Sequence, residues 1–236
     1  ALAGARIAAL DKSDEVMDLA EEMQHKGHTA AARITDIGDA TRTASAIAEL
    51  RNTVGPVHVM INNAGYSGAA NLEDTTEDSW TSDLNGNLNG AYFCTSSVIG
   101  DMKSAGGGAI VNIGSINGLG AFGDPAYSAA KAGLISYTKS LALEYGRFGI
   151  RANVICPGTV RTPIWDHRIE KKPEIFEQLV RWYPLRRVAD PIDIVRTAMF
   201  LASSDAAAIS GAVLPVDCGL SAGNLVMTRE LTLSDI

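Results

Sequence analysis

A tyrosine and a lysine four residues apart are the strongest chemical signal in the chain. Tyr127 and Lys131 belong to the segment Tyr-Ser-Ala-Ala-Lys, and this spacing on a helix places both side chains on one face. A nearby ammonium group favours the phenolate and lowers the pKa of a phenol from its reference value of about 10. The pair is therefore predicted to accept or return the proton of a substrate hydroxyl group.

A serine on a glycine-rich loop could assist this proton transfer. Ser115 precedes Tyr127 by twelve positions, and its hydroxyl can hydrogen-bond a substrate oxygen and hold it against the phenol. The alternative is an ordinary turn residue. A Ser-His-Asp hydrolase is disfavoured, because none of the four histidines falls on a predicted loop near Ser115 and the chain contains no GxSxG sequence.

The elements that must position these residues alternate between strand and helix patterns. The predicted strands are short and continuously apolar, which is typical of a parallel sheet covered by helices on both faces. We expect an α/β fold with a doubly wound parallel sheet, arranged as a three-layer α/β/α Rossmann-type single domain over residues 1–236. Strands are predicted at 6–10, 29–34, 57–61, 109–113, 150–155 and 212–216, and helices at 14–26, 39–53, 77–104, 125–145 and 191–202.

Such sheets bind ligands beyond the carboxyl ends of their strands. The loops that follow Leu10, Ile34, Ile61, Ile113 and Ile155 are therefore predicted to line one crevice. Ser115 lies on one of these loops, and the helix that carries Tyr127 begins just after it.

The composition excludes several other classes of function. The net charge of −7 and a pI near 5.1 weigh against nucleic acid or an anionic membrane as the main partner. Cys94, Cys156 and Cys218 are too few and too scattered for a disulfide framework or a metal cluster. We expect three reduced, buried thiols, no metal and a cytoplasmic protein.

Taken together, the motifs resemble those of the short-chain dehydrogenase/reductase family, in its order and close to its spacings. The resemblance extends from Gly4 to about Gly219. It is carried by Asn-Asn-Ala-Gly at 62–65, Asn-Leu-Asn-Gly at 87–90, Ser115, Tyr127 with Lys131, and Pro157-Gly158.

The resemblance implies a hydride transfer with a nicotinamide dinucleotide. Tyr127 would be the general acid/base, and Ser115 would position the substrate oxygen. Lys131 would bind the nicotinamide ribose and depress the pKa of Tyr127, while Asn87 would hold a water that links Lys131 to solvent. The alternative for Asn87 is a polar residue that kinks a helix. The implied cofactor-binding residues are Asp11, Asp36, Ile37, Asn63, Ala64, Gly65, Tyr127, Lys131, Pro157, Gly158, Val160 and Thr162.

The end of the first predicted strand bears on the choice of cofactor. A carboxylate at Asp11 can accept hydrogen bonds from both ribose hydroxyls of NAD and would repel the 2′-phosphate of NADP. NAD is therefore favoured, although Lys12 follows immediately and its cation could tolerate a phosphate.

Three features depart from the family pattern. Its glycine-rich TGxxxGxG loop, which would anchor the pyrophosphate at a helix N-terminus, should precede Gly4 and is not present, so we expect that a first strand and most of a helix lie upstream of this sequence. The usual glycine pair near the carboxyl terminus reads Asp217-Cys218-Gly219, which we expect to affect packing only. The loop between Ser115 and Tyr127 is one residue shorter than is common.

The segment 161–187 is predicted to form a lid over the substrate. Its mixture of aromatic and charged residues favours a modest polar alcohol or sugar, and simple packing on the body of the protein is the alternative for most of its side chains. The candidate substrate contacts are Trp165, His167, Phe176, Trp182 and Tyr183 in this segment, with Tyr66 and Gly114 elsewhere.

The apolar tail around 225–227 is expected to pack at a subunit interface, and the resemblance implies a homotetramer. Two other functions stay open from the sequence. An NADP-dependent 3-oxoacyl-(acyl-carrier-protein) reductase would need a basic patch for its acidic partner, for which Arg147, Arg151, Arg186 and Arg187 are candidates. A non-catalytic binding protein that kept the fold is the other, for which the intact Ser, Tyr, Lys and Asn set is unfavourable.

Overall fold

The computed structural model describes residues 4–234, without the side chain of His167. The candidate substrate contact of His167 therefore lies outside the described part. Within it, strands and helices alternate as the sequence predicts. The strands are β1 (Ile7–Asp11), β2 (Ala30–Ile34), β3 (Val59–Asn62), β4 (Gly108–Ile113), β5 (Ile150–Pro157) and β6 (Val213–Val216).

All strand pairs in the described residues are parallel, which confirms the predicted α/β class. The hydrogen bonds divide the strands into two sets, β1 with β2 and β3-β4-β5-β6 in that order. The sheet is therefore in two parts, and β3 is an outer strand of the larger one. Val59 and Ile61 on β3 are accordingly exposed.

Capping side chains and prolines mark where several of the helices begin. They are α1 (Glu15–His25), α2 (Ala40–Val54), α3 (Glu77–Leu84), α4 (Gly90–Ser104), α5 (Pro125–Tyr145), α6 (Asp166–Lys171), α7 (Ile175–Leu179), α8 (Pro191–Ala202) and α9 (Leu225–Thr232). The side chain of Asp39 accepts from Arg42 N and caps α2. Proline occupies the first position of α5 and of α8, where its missing N–H costs nothing.

The predicted helix 77–104 is interrupted. Residues Asn85–Asn89 form a π-helical segment between α3 and α4, and such segments are often found at functional sites. Asn87 lies within it.

The core lies on both faces of the larger sheet. On one face Val98 and Met102 of α4 and Leu141 of α5 pack against Ile110 and Ile150. On the other face, Ala198 and Leu201 of α8 pack in one cluster with residues of β4 and β5. Because both faces are covered, β4 and β5 are almost wholly buried, which explains their continuous apolar sequences.

A buried polar network ties the central strands to the helices that carry the site. Asn62 Nδ2 donates to Asn112 Oδ1 (2.8 Å) and to Thr95 Oγ1 (3.1 Å). Asn112 Nδ2 donates in turn to Thr138 Oγ1 on α5 (2.8 Å). All four residues are buried, so the network fixes β3, β4, α4 and α5 relative to one another.

The substitution in the family's glycine pair does more than alter packing. Cys218 has a φ of 55°, a left-handed backbone conformation that is unfavourable for a residue with a Cβ.

None of the helices within residues 4–234 is long and apolar enough to cross a membrane.

Candidate functional site

Tyr127 and Lys131 share one face of α5, as their spacing predicts. The Lys131 ammonium nitrogen lies 5.4 Å from the centre of the Tyr127 ring. Both side chains line a cavity of about 1140 Å³ together with Ser115. The cavity lies at the carboxyl ends of β4 and β5, where Gly114 and Pro157 contribute to its wall.

Lys131 is a buried cation. Only 3% of it is exposed, and its Nζ donates a hydrogen bond of 2.8 Å to the carbonyl oxygen of Ile113 at the end of β4. Removal from water disfavours the charged form, and this desolvation lowers the pKa of Lys131 to about 8. The lysine can therefore bind or release a proton near neutral pH.

The pKa of Tyr127 is raised, not lowered as predicted. Burial of the phenol is the largest cause, and the carboxylate of Asp124 adds to it, while a hydrogen bond from Ser115 acts in the opposite direction. The prediction is wrong because burial disfavours the charged phenolate, and this effect outweighs the hydrogen bond that favours it. Without ligand, the phenol is protonated at neutral pH.

Ser115 is held at the mouth of the loop that follows β4. Its Oγ accepts a hydrogen bond from Asn117 N (3.1 Å), and Ser115 thereby caps the 3-10 turn Ile116–Gly118. Gly114 precedes it where no side chain fits, because an added Cβ would lie 2.9 Å from Val154 Cγ2 and 3.1 Å from Ile155 O. This close approach of loop to β5 sets the position of the serine hydroxyl.

Asn87 presents an unsatisfied acceptor toward Lys131. Its Nδ2 donates to Tyr66 O (2.7 Å) and Asp83 O (2.9 Å), while its Oδ1 is buried without a hydrogen-bond partner. A Cβ added at Gly65 would lie 2.5 Å from this Oδ1 and 3.1 Å from Lys131 Nζ. The oxygen and the ammonium therefore both lie close to the backbone of Gly65, where no side chain fits, and the oxygen still needs a hydrogen-bond donor.

The predicted cofactor residues divide into two groups. Eight of them line the same cavity: Asn63, Gly65, Tyr127, Lys131, Pro157, Gly158, Val160 and Thr162. Ile37 packs instead against the core cluster of α2 and α4, and Ala64 is not part of the cavity wall. Gly158 lets the loop after β5 approach Asp217 closely, since a Cβ at Gly158 would lie 3.0 Å from Asp217 Cβ.

The other predicted cofactor residues lie nearer the ends of β1 and β2. Asp36 lines a separate cleft of about 420 Å³ with Tyr66, so Tyr66 is not a wall of the main cavity. Asp11 is exposed at the end of β1, where its Oδ1 accepts from Ser13 N (2.9 Å). The Lys12 ammonium lies 4.3 Å from the centre of the Tyr66 ring, which directs this cation toward the aromatic face.

The segment 161–187 forms one wall of the main cavity through Trp165, Trp182 and Tyr183. Tyr183 is 2% exposed, and its hydroxyl accepts from Thr159 N (3.2 Å), so it also fixes the loop after β5. Phe176 does not reach the cavity, because it is buried in the hydrophobic cluster beneath the segment. The packing alternative is therefore correct for Phe176.

Sequence reasoning missed part of the wall. The missed residues include Asn117, Phe122, Ile164, Arg168, Leu179, Leu220, Asn224 and Leu225. Leu225 belongs to α9, in the tail that the sequence predicts to pack at a subunit interface, and here it lines the cavity. Its apolar content was the available signal, but nothing in a linear pattern shows that the tail returns to the cavity.

The cysteines are buried free thiols, as predicted. Burial raises the pKa of Cys94 and Cys156 to about 11, so both are protonated and unreactive near neutral pH. No cluster of metal-binding side chains is found among the described residues.

Residues 1–221 match the family model described as enoyl-(acyl carrier protein) reductase. An uncharacterised oxidoreductase of Schizosaccharomyces pombe is 42% identical over 231 residues, which are 97% of this chain and 86% of that protein.

Solved structures give the same result. An oxidoreductase of the short-chain dehydrogenase/reductase family from Burkholderia thailandensis is 49% identical with a TM-score of 0.90, covering 99% of this chain and 90% of its own. A gluconate 5-dehydrogenase from Burkholderia cenocepacia, in complex with NADP and tartrate, is 28% identical with a TM-score of 0.87, covering 94% of this chain and 88% of its own.

Proposed function

The chain belongs to the short-chain dehydrogenase/reductase family, and on this premise we propose that it transfers a hydride between NAD and a secondary alcohol, polyol or sugar hydroxyl, with Tyr127 as general acid/base. The family is one of oxidoreductases that use a nicotinamide cofactor. The observation that carries the proposal is the placement of Tyr127, Lys131 and Ser115 on one cavity at the carboxyl ends of parallel strands.

The proton transfer follows from the environment of Tyr127. Its raised pKa keeps the phenol protonated, ready to donate to a carbonyl oxygen during reduction. In the oxidation of an alcohol the phenol must first pass on its own proton, and the same oxygen then takes up the hydroxyl proton. Ser115 holds the substrate oxygen and stabilises negative charge that develops on it. A bound nicotinamide cofactor supplies the hydride acceptor or donor.

Lys131 and Asn87 provide a route for the proton beyond Tyr127. The lysine, with a pKa of about 8, can exchange a proton with a group placed between it and the unsatisfied Asn87 Oδ1. The same two atoms fit the hydroxyls of a ribose, because one is a donor and the other an acceptor. Lys131, Asn87 and the backbone at Gly65 would thus hold the ribose next to the nicotinamide.

The preference for NAD rests on charge at the end of β1. Asp11 is exposed and carries a carboxylate there, and the adjacent cation of Lys12 is directed to the Tyr66 ring. A 2′-phosphate would be repelled by Asp11, and Lys12 would have to leave the Tyr66 ring to offset this repulsion. The NADP complex of the gluconate 5-dehydrogenase makes this a point to test, by titrating both cofactors against the full-length protein and its Asp11→Ser variant. We expect the variant to lose its preference for NAD.

Replacement of Tyr127 tests the mechanism. Tyr127→Phe is expected to lower kcat for a panel of secondary alcohols and sugars by at least 1,000-fold while the Kd of the cofactor changes less than about threefold, because only the ionisable oxygen is lost. Tyr145→Phe, at the end of the same helix, is the control. Normal turnover in Tyr127→Phe would refute the assignment.

The alternative functions fit less well. The arginines expected to form one docking patch for an acyl carrier protein are partly engaged. Arg151 donates to the carbonyls of Leu201 and Ser203, and Arg187 pairs with Asp193 at 2.6 Å. The assembled catalytic side chains are unfavourable for a non-catalytic binding protein.

The proposed homotetramer is supported by apolar side chains left exposed on the surface. Ile192, Val195 and Met199 project from α8 at helical spacing, and Met227 projects from α9. A second copy could bury this surface. Light scattering coupled to size exclusion is expected to give the mass of four chains, and a monomer would refute this assembly.

A further inference from the structure

The lid segment contributes one cation to the wall of the main cavity. Among the described residues that line it, Asp124, Lys131 and Arg168 are charged. Lys131 is engaged with Ile113 O, and the Asp124 carboxylate accepts from Ser67 Oγ (2.7 Å). Arg168 alone brings a guanidinium group to this wall, on α6.

Other arginines near the lid differ in their partners. Arg161 lies 3.9 Å from a carboxylate oxygen of Asp190, and Arg187 lies 2.6 Å from one of Asp193. Arg168 has no carboxylate within ion-pair distance in the described part of the chain. A guanidinium beside a partly apolar cavity, with its donors uncommitted to protein acceptors, is suited to a ligand oxyanion.

An aromatic stack orients this guanidinium. The guanidinium carbon lies 4.7 Å from the centre of the Trp165 ring, and the Trp165 ring lies 5.5 Å from that of Phe176. Phe176 is 7% exposed within the lid cluster. The indole is thus anchored from beneath, and stacking on it restricts the arginine before any ligand arrives.

The wall of the cavity therefore carries two kinds of polar group. Ser115 and Tyr127 can bind a hydroxyl or carbonyl oxygen at one position, and Arg168 offers a cation at another. Much of the wall that accompanies Arg168 is apolar: Ile164, Trp165, Leu179, Trp182, Leu220 and Leu225. Arg168 itself is exposed, so its guanidinium is hydrated until a ligand covers it against this apolar wall.

We propose that Arg168 is a specificity-determining residue, and that the substrate is an alcohol or ketone with a carboxylate or similar oxyanion separated from the reacting carbon by a short apolar spacer. This inference rests on the proposed function and narrows its substrate class from neutral alcohols and sugars to hydroxy acids and oxo acids. The reaction itself is unchanged: the hydride is exchanged at the distal oxygen-bearing carbon, and the proton is exchanged between its oxygen and Tyr127.

Matched acids and esters test this inference in the full-length protein. The probes are 4-oxopentanoate, 5-oxohexanoate and 6-oxoheptanoate with their methyl esters, each reduced with NADH and with NADPH. The free acid of at least one pair is expected to exceed its ester at least tenfold in kcat/KM. Arg168→Gln should lower kcat/KM for that acid by about 10- to 100-fold, mainly through KM, and that of the ester less than twofold.

The lid offers a closely matched control. Arg181 also stacks on a tryptophan, with its guanidinium carbon 4.8 Å from the Trp182 ring, but it does not line the cavity. Arg181→Gln should leave the ratio of acid to ester unchanged, and Arg168→Lys should recover part of it. Equal losses for acid and ester in Arg168→Gln, or a weakened Kd for the cofactor in that variant, would overturn the inference.

A binding measurement separates failure of the inference from failure of the proposed function. Trp165 and Trp182 lie on the cavity wall, so titration with the three acids is expected to change tryptophan fluorescence in the wild type and in Arg181→Gln but not in Arg168→Gln. This response without any Tyr127-dependent turnover would keep the anion site and refute the oxidoreductase mechanism. Tyr127-dependent turnover without an acid preference or an Arg168-dependent fluorescence response would refute the anion site and keep the oxidoreductase mechanism.

Discussion

Replacing Lys131 by Met should stabilise the ligand-free protein at neutral pH although it removes a site residue. Lys131 is buried, and because burial disfavours its charged form, its pKa falls from 10.5 to about 8. At about 1.4 kcal/mol per pH unit, this displacement corresponds to about 3 kcal/mol of lost stability. Met has a similar length and no charge to desolvate.

A hydrogen bond is lost in the exchange. Nζ of Lys131 donates to Ile113 O at 2.8 Å, and loss of such a bond costs about 1 kcal/mol. The net gain for Lys131→Met at pH 7 is therefore about 2 kcal/mol. For a chain of this length, that corresponds to a rise in Tm of about 4 to 8 °C.

The gain should depend on pH with a defined sign. Because the unfolded lysine has the higher pKa, the unfolded state binds more protons between about pH 8 and 10.5, and the stability of the wild type rises with pH there. The advantage of Lys131→Met is complete below pH 8 and shrinks above it. It reverses near pH 10, where the remaining desolvation cost falls below the roughly 1 kcal/mol of the lost hydrogen bond.

Urea unfolding at pH 6, 7.5, 9 and 10, without added cofactor, measures this difference. Lys139→Met is the control, since Lys139 is exposed on the same helix and its replacement should give a small difference that does not vary with pH. A variant Lys131→Met that is less stable than the wild type at every pH, or whose gain stays constant from pH 6 to 10, would refute the reasoning.

Three further predictions concern packing and the site. Asn112→Val should lower the free energy of unfolding by about 2 kcal/mol in urea titrations, because it leaves polar partners on β3 and α5 unpaired; an unchanged midpoint would contradict this. Gly65→Ala should weaken cofactor binding at least tenfold in calorimetric titration, since its Cβ would lie 2.5 Å from Asn87 Oδ1; unchanged affinity would refute the placement. Gly100→Ala on α4 meets nothing within 4 Å and should instead stabilise the fold by about 0.5 to 1 kcal/mol, read as a higher Tm.

Helices with strong terminal signals could be predicted closely from the sequence. The bounds of α5 and α8 agree with the prediction, because a proline at the first position and an apolar periodicity define each one locally. The sequence predicts one continuous helix over 77–104, since no proline or glycine-rich stretch interrupts it strongly. The π-helical segment at Asn85–Asn89 depends on contacts of its side chains with the loop after β3, which a linear pattern does not contain.

The lid and tail were the least predictable regions. Their helices α6, α7 and α9 are short, and isolated helices of this length are not stable in water without tertiary contacts. Phe176, Tyr183, Trp165 and Trp182 are all aromatic residues of this lid, and the sequence predicts each of them as a substrate contact. Only packing decided that Phe176 is buried under the lid while the other three reach the cavity.

The sequence by itself determined the order of strands and helices, their parallel arrangement and the shared face of Tyr127 and Lys131, because these follow from local periodicity and spacing. The tertiary structure decided the direction of the Tyr127 pKa, the unsatisfied oxygen of Asn87 and the position of Arg168 on the cavity wall. Burial and charge pairing act through space between distant segments, so these properties exist only once the chain has folded.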